Sequence, residues 1–306
     1  MNFKKKLLVV STAVLLSLSM FTACAARPEP AAVSEPASVS EPPERPVATA
    51  EQIPISDRTP SLLEDILEAY EQNDHTIGWL IVPGTNIDDV ILFHPTDNFF
   101  YERRGFDRQY SFDGVFWADR RSVFGPREEM GVNTCIYGHA FTDDADHSRF
   151  NDKFGQLAMF RDEEFAREHP YIFFSTKYED MAWEIFAVFI ANADNPNLPY
   201  NRNIVGDETH QDFVDMVRNE VLPRSKWVYD VEIKDDDKFL VLSACFYEWD
   251  DGPEFNRQGF STGYPNTFFR YAIMARLVHP DEEFREYAVI EFNEDIVIDP
   301  DGRWAA

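Results

Sequence analysis

After Asn73 the chain is dominated by short apolar runs broken by turn residues. They fall at 79–82 before Pro83-Gly84, at 90–93, 114–117 and 134–137, and again at 171–174, 183–190, 239–244, 271–278 and 287–292. Runs of this length bounded by Gly, Pro, Asn or Asp read as strands. Eight or nine of them with few helices predict a mainly β fold with peripheral helices, its sheet closed or nearly so. Two stretches carry the helical period instead. Ser61-Leu62-Leu63-Glu64 has the form of a capping box, and Leu62, Leu63, Ile66, Leu67 and Tyr70 then share one face. A second helix is predicted over 208–221, where Phe213, Met216, Val217 and Val221 line up.

The N-terminus follows a different pattern. Lys4, Lys5 and Lys6 precede an uncharged, mostly apolar run at 7–21. As a helix it would extend about 22 Å, short of a ~30 Å hydrocarbon core, so residues 1–24 read as an export signal. The run ends in Phe21-Thr22-Ala23-Cys24, which resembles a bacterial lipobox with Cys24 as the lipidated residue. Ordinary cleavage near Ala25 and an uncleaved anchor are the other two fates. All three place the body outside the membrane, and two of them tether it there. Residues 25–60 hold eight of the nineteen prolines, no aromatic residue, and Val-Ser-Glu-Pro twice. Such a mixture builds no core and is expected to be a disordered spacer. A folded domain is expected over 61–292, with a loose tail at 293–306 that contains the turn Asp299-Pro300-Asp301-Gly302.

Composition narrows the function. The 306 residues are 44% hydrophobic and include 27 Phe, 12 Tyr and 6 Trp, enough to build a real core. With 28 basic against 55 acidic residues, a net of −27, a nucleic-acid-binding surface is excluded as the main business of the chain. The acidity lies in the body and points to solubility and repulsion from anionic lipid. Three cysteines make no disulfide framework. Cys24 belongs to the export signal, and Cys135 sits within a strand as a small hydrophobe would. Cys245 ends a strand just before a polar, aromatic loop, where a scaffold can offer a side chain to a substrate.

His139 has the corresponding position after Ile136-Tyr137-Gly138, also at a strand end. A thiol attacks as the thiolate, and an imidazole supplies the charge or the proton transfer that this requires. Arg270 opens the apolar run that follows Cys245 in the chain. Antiparallel pairing of the two strands would set Cys245 beside Arg270, whose guanidinium can stabilise a developing oxyanion.

These residues resemble the class B sortases over roughly 61–292. The matching segments are Gly78-Trp79-Leu80-Ile81-Val82-Pro83-Gly84-Thr85-Asn86-Ile87, Ile136-Tyr137-Gly138-His139, Leu242-Ser243-Ala244-Cys245, and Arg270 with Tyr271-Ala272-Ile273-Met274-Ala275-Arg276-Leu277. The resemblance implies an eight-stranded β-barrel with an N-terminal helix and a helix between the sixth and seventh strands. It implies a cysteine transpeptidase that needs no cofactor or metal. Cys245 would cut a C-terminal sorting motif of an exported protein at a Thr–Gly-like bond, hold the acyl group as a thioester, and pass it to an amine of peptidoglycan or a surface protein. His139 would be the acid/base, Arg270 the oxyanion group, and Tyr137 and Ser243 would line the substrate groove. Ala244 stands where the family usually has Thr. Arg257 lies within the Cys-to-Arg connection, and Arg270 is preferred over it because an apolar strand follows Arg270.

Two other readings compete. His139, Asp143, Asp144, Asp146 and His147 carry metal-ligand types within nine residues and would suit a metal-dependent hydrolase. Their spacing matches no mechanism-bearing motif, and an acidic surface loop accounts for it. The third reading is a non-catalytic extracellular lipoprotein that binds a surface partner. Thiol alkylation separates them, since only the transpeptidase should be abolished.

Overall fold

The computed structural model describes residues 53–140, 153–192, 195–204, 206–245 and 269–297. Eight strands close into a barrel: β1 (Thr76–Ile81), β2 (Asp88–Phe93), β3 (Phe116–Ala118), β4 (Asn133–Tyr137), β5 (Tyr171–Thr176), β6 (Ala182–Asn192), β8 (Phe239–Cys245) and β9 (Phe269–Leu277). Around the barrel they run β1-β2-β3-β4-β8-β9-β6-β5. Two neighbouring pairs, β2 with β3 and β4 with β8, are parallel, and the remaining pairs are antiparallel. The barrel predicted from the apolar runs is present. Among the described residues, no helix is long and apolar enough to cross a membrane.

Several strands are apolar on both faces, which is why their sequences read as unbroken runs rather than alternations. In β8, Leu240, Leu242 and Ala244 point into the barrel core with Leu80, Ile136, Phe174, Trp183 and Ile273. Phe239 and Val241 face outward into a second core. That outer core is capped by Phe213 and Val214 of the helix α3 (His210–Met216) and by Val217 and Val221, which continue it as a π-helical turn. In β6 the register shifts between Ile185 and Ala187. Trp183 and Ile185 before the bulge and Val188 and Ile190 after it all reach the interior, while Phe186 and Phe189 join the outer core. The bulge therefore changes the parity of the strand without losing either face.

Four expectations are corrected. The run at 287–292 forms only the short β10 (Ile290–Phe292), which pairs with β7 (Trp227–Tyr229) in a separate two-stranded sheet. Ser61 does not cap α1 (Leu63–Gln72): the N-cap is Leu62, whose N–H donates to Asp180 Oδ1 at 2.9 Å. The helix buries Leu62, Ile66 and Ala69, and leaves Leu63 and Leu67 at the surface. Finally, the packed body reaches beyond both expected limits. Ile55 is fully buried against Tyr171, Phe173 and Val278, and its N–H donates to the Glu282 carbonyl at 2.8 Å. At the other end Asn293 donates to the Ser225 carbonyl at 2.9 Å, and Val297 N–H to that of Pro223 at 2.8 Å. Helix α2 (Glu163–Glu168), capped by Asp162, was not expected. The export signal with Cys24, most of the spacer, and the Asp299–Gly302 turn lie outside the described residues.

Candidate active site

Cys245 is the last residue of β8 and Arg270 the second of β9, and the two are direct partners in the antiparallel ladder. On the other side of β8, Ser243 partners Tyr137, the last residue of β4. His139 follows two residues after that strand ends. The parallel course of β4 and β8 thus brings the imidazole and the thiol to the same rim of the barrel. Tyr137, His139, Ser243, Cys245 and Arg270 all line one cleft of about 330 Å³. Cys245 is half-buried, whereas Cys135 is 1% exposed and faces the outer core. Burial pushes the Cys135 thiol well up, leaving it protonated and inert.

The glycine before His139 is required by packing. A Cβ at Gly138 would stand 2.6 Å from the Phe116 ring and 2.7 Å from that of Phe154. Those two rings stack at 4.4 Å inside the barrel, so His139 leaves a strand whose last interior position is already full. The His139 ring lies 6.0 Å from that of Trp117, and its Nε2 lies 2.7 Å from the Glu102 carbonyl oxygen, to which it donates. Burial holds this imidazole below its ordinary value despite the opposing effect of that carbonyl.

The sequence did not single out the group that secures Tyr137. Asp119, 1% exposed, takes two bonds from the Arg121 guanidinium, at 2.7 and 2.6 Å, and one from the Tyr137 hydroxyl at 2.9 Å. Burial alone would raise its carboxyl, but Arg121 and Tyr137 together hold it below the usual carboxylate range. Burial in turn pushes the Tyr137 phenol far up. The hydroxyl therefore stays protonated, and the ring forms a fixed wall of the cleft. Arg121 also lines the cleft, with Asn98, Phe99, Glu102, Trp117 and Asn201. Asp119 directly follows β3, and a carboxylate at a strand end was the available signal. Ser243 is buried, 3.4 Å from the hydroxyl of the equally buried Tyr200.

Ala244 belongs to the barrel interior. Asp143, Asp144, Asp146 and His147 lie outside the described residues, as does Arg257. Among the described residues no group of three His, Cys, Asp or Glu side chains is placed to hold a metal.

No family model and no curated protein matches the sequence. Solved structures do. Sortase B of Clostridium perfringens matches at 21% identity and a TM-score of 0.54, over 70% of this chain and 99% of that one. A Staphylococcus aureus sortase B–substrate complex matches at 20% identity and 0.54, over 70% and 85% of the two chains. Sortase B of Bacillus anthracis matches at 20% and 0.54, over 73% and 91%. What these likenesses establish is the architecture: the chain has a class B sortase-like fold.

Proposed function

We propose that this protein is a cysteine transpeptidase of the sortase type, which cleaves a C-terminal sorting motif of exported proteins. One observation carries the proposal: Cys245 and Arg270 are paired side by side in the wall of a cleft that His139 also lines. In this reading neutral His139 takes the proton of the Cys245 thiol, and the thiolate attacks the carbonyl carbon of the scissile peptide. Arg270 donates to the oxyanion that forms. As the C–N bond breaks, protonated His139 delivers its proton to the leaving amine, and the acyl group remains as a thioester on Cys245. An incoming amine of peptidoglycan or of a surface protein then attacks the thioester and gives up its proton to His139. The amide forms and the Cys245 thiolate is released. Tyr137 and Ser243 line the groove for the acyl-donor peptide.

The export signal and the proline-rich stretch support a body held at the outer face of the membrane through its N-terminus, by lipid on Cys24 or by an uncleaved anchor. The test of the activity is incubation with a library of proline-containing sorting peptides, with and without an amine acceptor. The expected result is peptide cleavage with a hydroxylamine-labile acyl adduct on Cys245. Absence of cleavage across the library, or an adduct that persists in Cys245→Ala, would overturn the reading.

A further inference from the structure

A carbonyl oxygen only accepts hydrogen bonds, so the ring nitrogen 2.7 Å from the Glu102 oxygen must carry a hydrogen. A neutral imidazole protonated at Nε2 has its lone pair on Nδ1. The group that fixes this choice is main chain, so its position is set by the connection between β2 and β3. That connection is secured from outside the cleft by one buried amide. Asn73, at the end of α1 and 3% exposed, donates through Nδ2 to the Tyr101 hydroxyl at 3.2 Å and to the Phe106 carbonyl at 2.8 Å. Its Oδ1 accepts from the His75 N–H at 3.0 Å and from Arg108 Nη2 at 2.6 Å. The Tyr101 hydroxyl also meets His75 Nδ1 at 2.8 Å, and the Tyr101 side chain is 1% exposed.

Gly114 completes the arrangement at the other end of the connection. Its φ is +56°, and a Cβ there would lie 2.5 Å from the Glu102 oxygen and 2.8 Å from that of Tyr101. Only a glycine lets the returning chain pass so close to the carbonyl that His139 uses. A run of direct contacts therefore joins Asn73 to Tyr101, and the next residue carries the carbonyl that meets His139.

We propose that Asn73 and Tyr101 are positioning residues that, through the Glu102 carbonyl, hold His139 as its Nε2–H tautomer, so that proton transfer runs through Nδ1. The proposal rests on the reading of His139 as the acid/base and adds which nitrogen acts and what aligns it. A main-chain acceptor orients the ring without itself adding a full negative charge, and burial together with Arg103 outweighs the upward pull of the Glu102 carbonyl and of the Glu102 and Asp113 carboxylates. The imidazole can then remain neutral and ready to receive the thiol proton, in keeping with the downward shift that burial imposes.

The test is nitrogen NMR of the histidine-labelled full-length Cys245→Ala protein at pH 7.5, which needs no turnover. The expected result is a protonated Nε2 and a lone-pair Nδ1 for His139. Tyr101→Phe, which removes one hydroxyl from a buried ring, should blur that signature into a tautomer mixture. In the active protein it should lower kcat roughly 10- to 100-fold with little change in KM, as small misplacements of reacting groups do. Asn73→Asp keeps the acceptor and removes both donors, and serves as the second variant with the same expected effects. A His139 protonated on Nδ1, or a Tyr101→Phe protein with unchanged spectrum and unchanged kcat, would overturn the proposal. An unsubstituted protein that cleaves no peptide would instead refute the catalytic reading, whichever tautomer the spectrum shows.

Discussion

Cys245 and Arg270 share one rung of an antiparallel ladder although 24 residues lie between them in the chain. Direct partners of this kind hold their Cβ atoms about 4.5–5.5 Å apart, so the two side chains leave the sheet next to each other without help from the intervening loop. Arg270→Lys should therefore be poor even though the charge is kept, because the planar fork of donors is lost. A fall in kcat of about 10²–10³ is expected, the scale of a lost oxyanion donor. Steady-state kinetics on a cleaved peptide measure it. Near-normal turnover in Arg270→Ala together with loss in Arg257→Ala would transfer the role to Arg257.

Cys245→Ala should abolish cleavage and acyl-adduct formation, whereas Cys135→Ala should keep activity, since Cys135 faces the outer core and not the cleft. Mass spectrometry of the protein after incubation with substrate separates the two. An active Cys245→Ala with a dead Cys135→Ala would reverse the assignment.

Asp119→Asn should destabilise the fold and loosen the cleft wall together. The carboxylate holds Arg121 by a two-pronged contact and Tyr137 by its hydroxyl, and an amide cannot serve all three bonds. The loss should be about 1–3 kcal/mol, the scale of an unsatisfied buried polar group. It would be read as a lower urea midpoint at unchanged m-value. KM for the peptide should rise as well, because the Tyr137 ring is no longer fixed. An unchanged midpoint would show that the Asp119 contacts contribute nothing net.

Gly138→Ala should be more harmful than a surface glycine substitution. Its Cβ would meet two stacked phenylalanine rings inside the barrel at 2.6 and 2.7 Å. Overpacking of this kind costs about 1–3 kcal/mol, and the strain would be relieved by moving the segment that carries His139. Thermal melts and kcat should fall together. A loss in Tm with intact kcat would show that His139 is placed independently of the interior.

Stability should fall as the medium turns mildly acidic. Burial places both His75 and His139 below the ordinary histidine value in the folded state. Once the pH drops below about 6.5, the unfolded chain takes up protons at these positions that the folded chain resists. Their contribution is thus fully present above that pH and is lost as pH falls through the window beneath it. Urea midpoints at pH 7.5, 6.5 and 5.5 should decline, and His75→Gln should flatten the slope. A slope that His75→Gln leaves unchanged would remove His75 from the account.

Replacement of Cys24 tests whether lipid attaches the protein to a membrane. If lipid on Cys24 anchors the protein, Cys24→Ala should leave it without acyl chains and its catalytic activity unchanged. Mass spectrometry of the mature N-terminus decides between the fates: a start at Ala25 or later without lipid excludes lipidation, and an intact Met1 indicates an anchor.

Much of the fold was legible because strand burial on two faces leaves long apolar runs, as at 183–190, 239–244 and 271–278. The strand ends carrying Cys245 and Arg270 could be placed for the same reason. What escaped was decided by tertiary partners distant in sequence. Ser61 has the right spacing for a cap, yet the first turn of α1 is met by Asp180, 118 residues away from Leu62. Strand β7 spans only three residues, too few to show an alternation, and exists through its pairing with β10. The run at 287–292 looked like a core strand because it is apolar, but Tyr287, Val289 and Phe292 are exposed. In the candidate site, the Glu102 carbonyl was invisible to any reading of side chains.

The parallel pairing of β4 with β8 has a consequence for how such a protein can diversify. Two strands that run side by side in the same direction end at the same rim, so the chain leaving His139 and the chain leaving Cys245 both begin beside the cleft. Lengthening, shortening or recharging either exit segment changes the surroundings of the cleft while the hydrogen-bonded rungs that bring the two strand ends together stay as they are. Under the proposed function, selectivity and reactivity could then be altered by separate mutations, and descendants that share one barrel could come to accept different substrates.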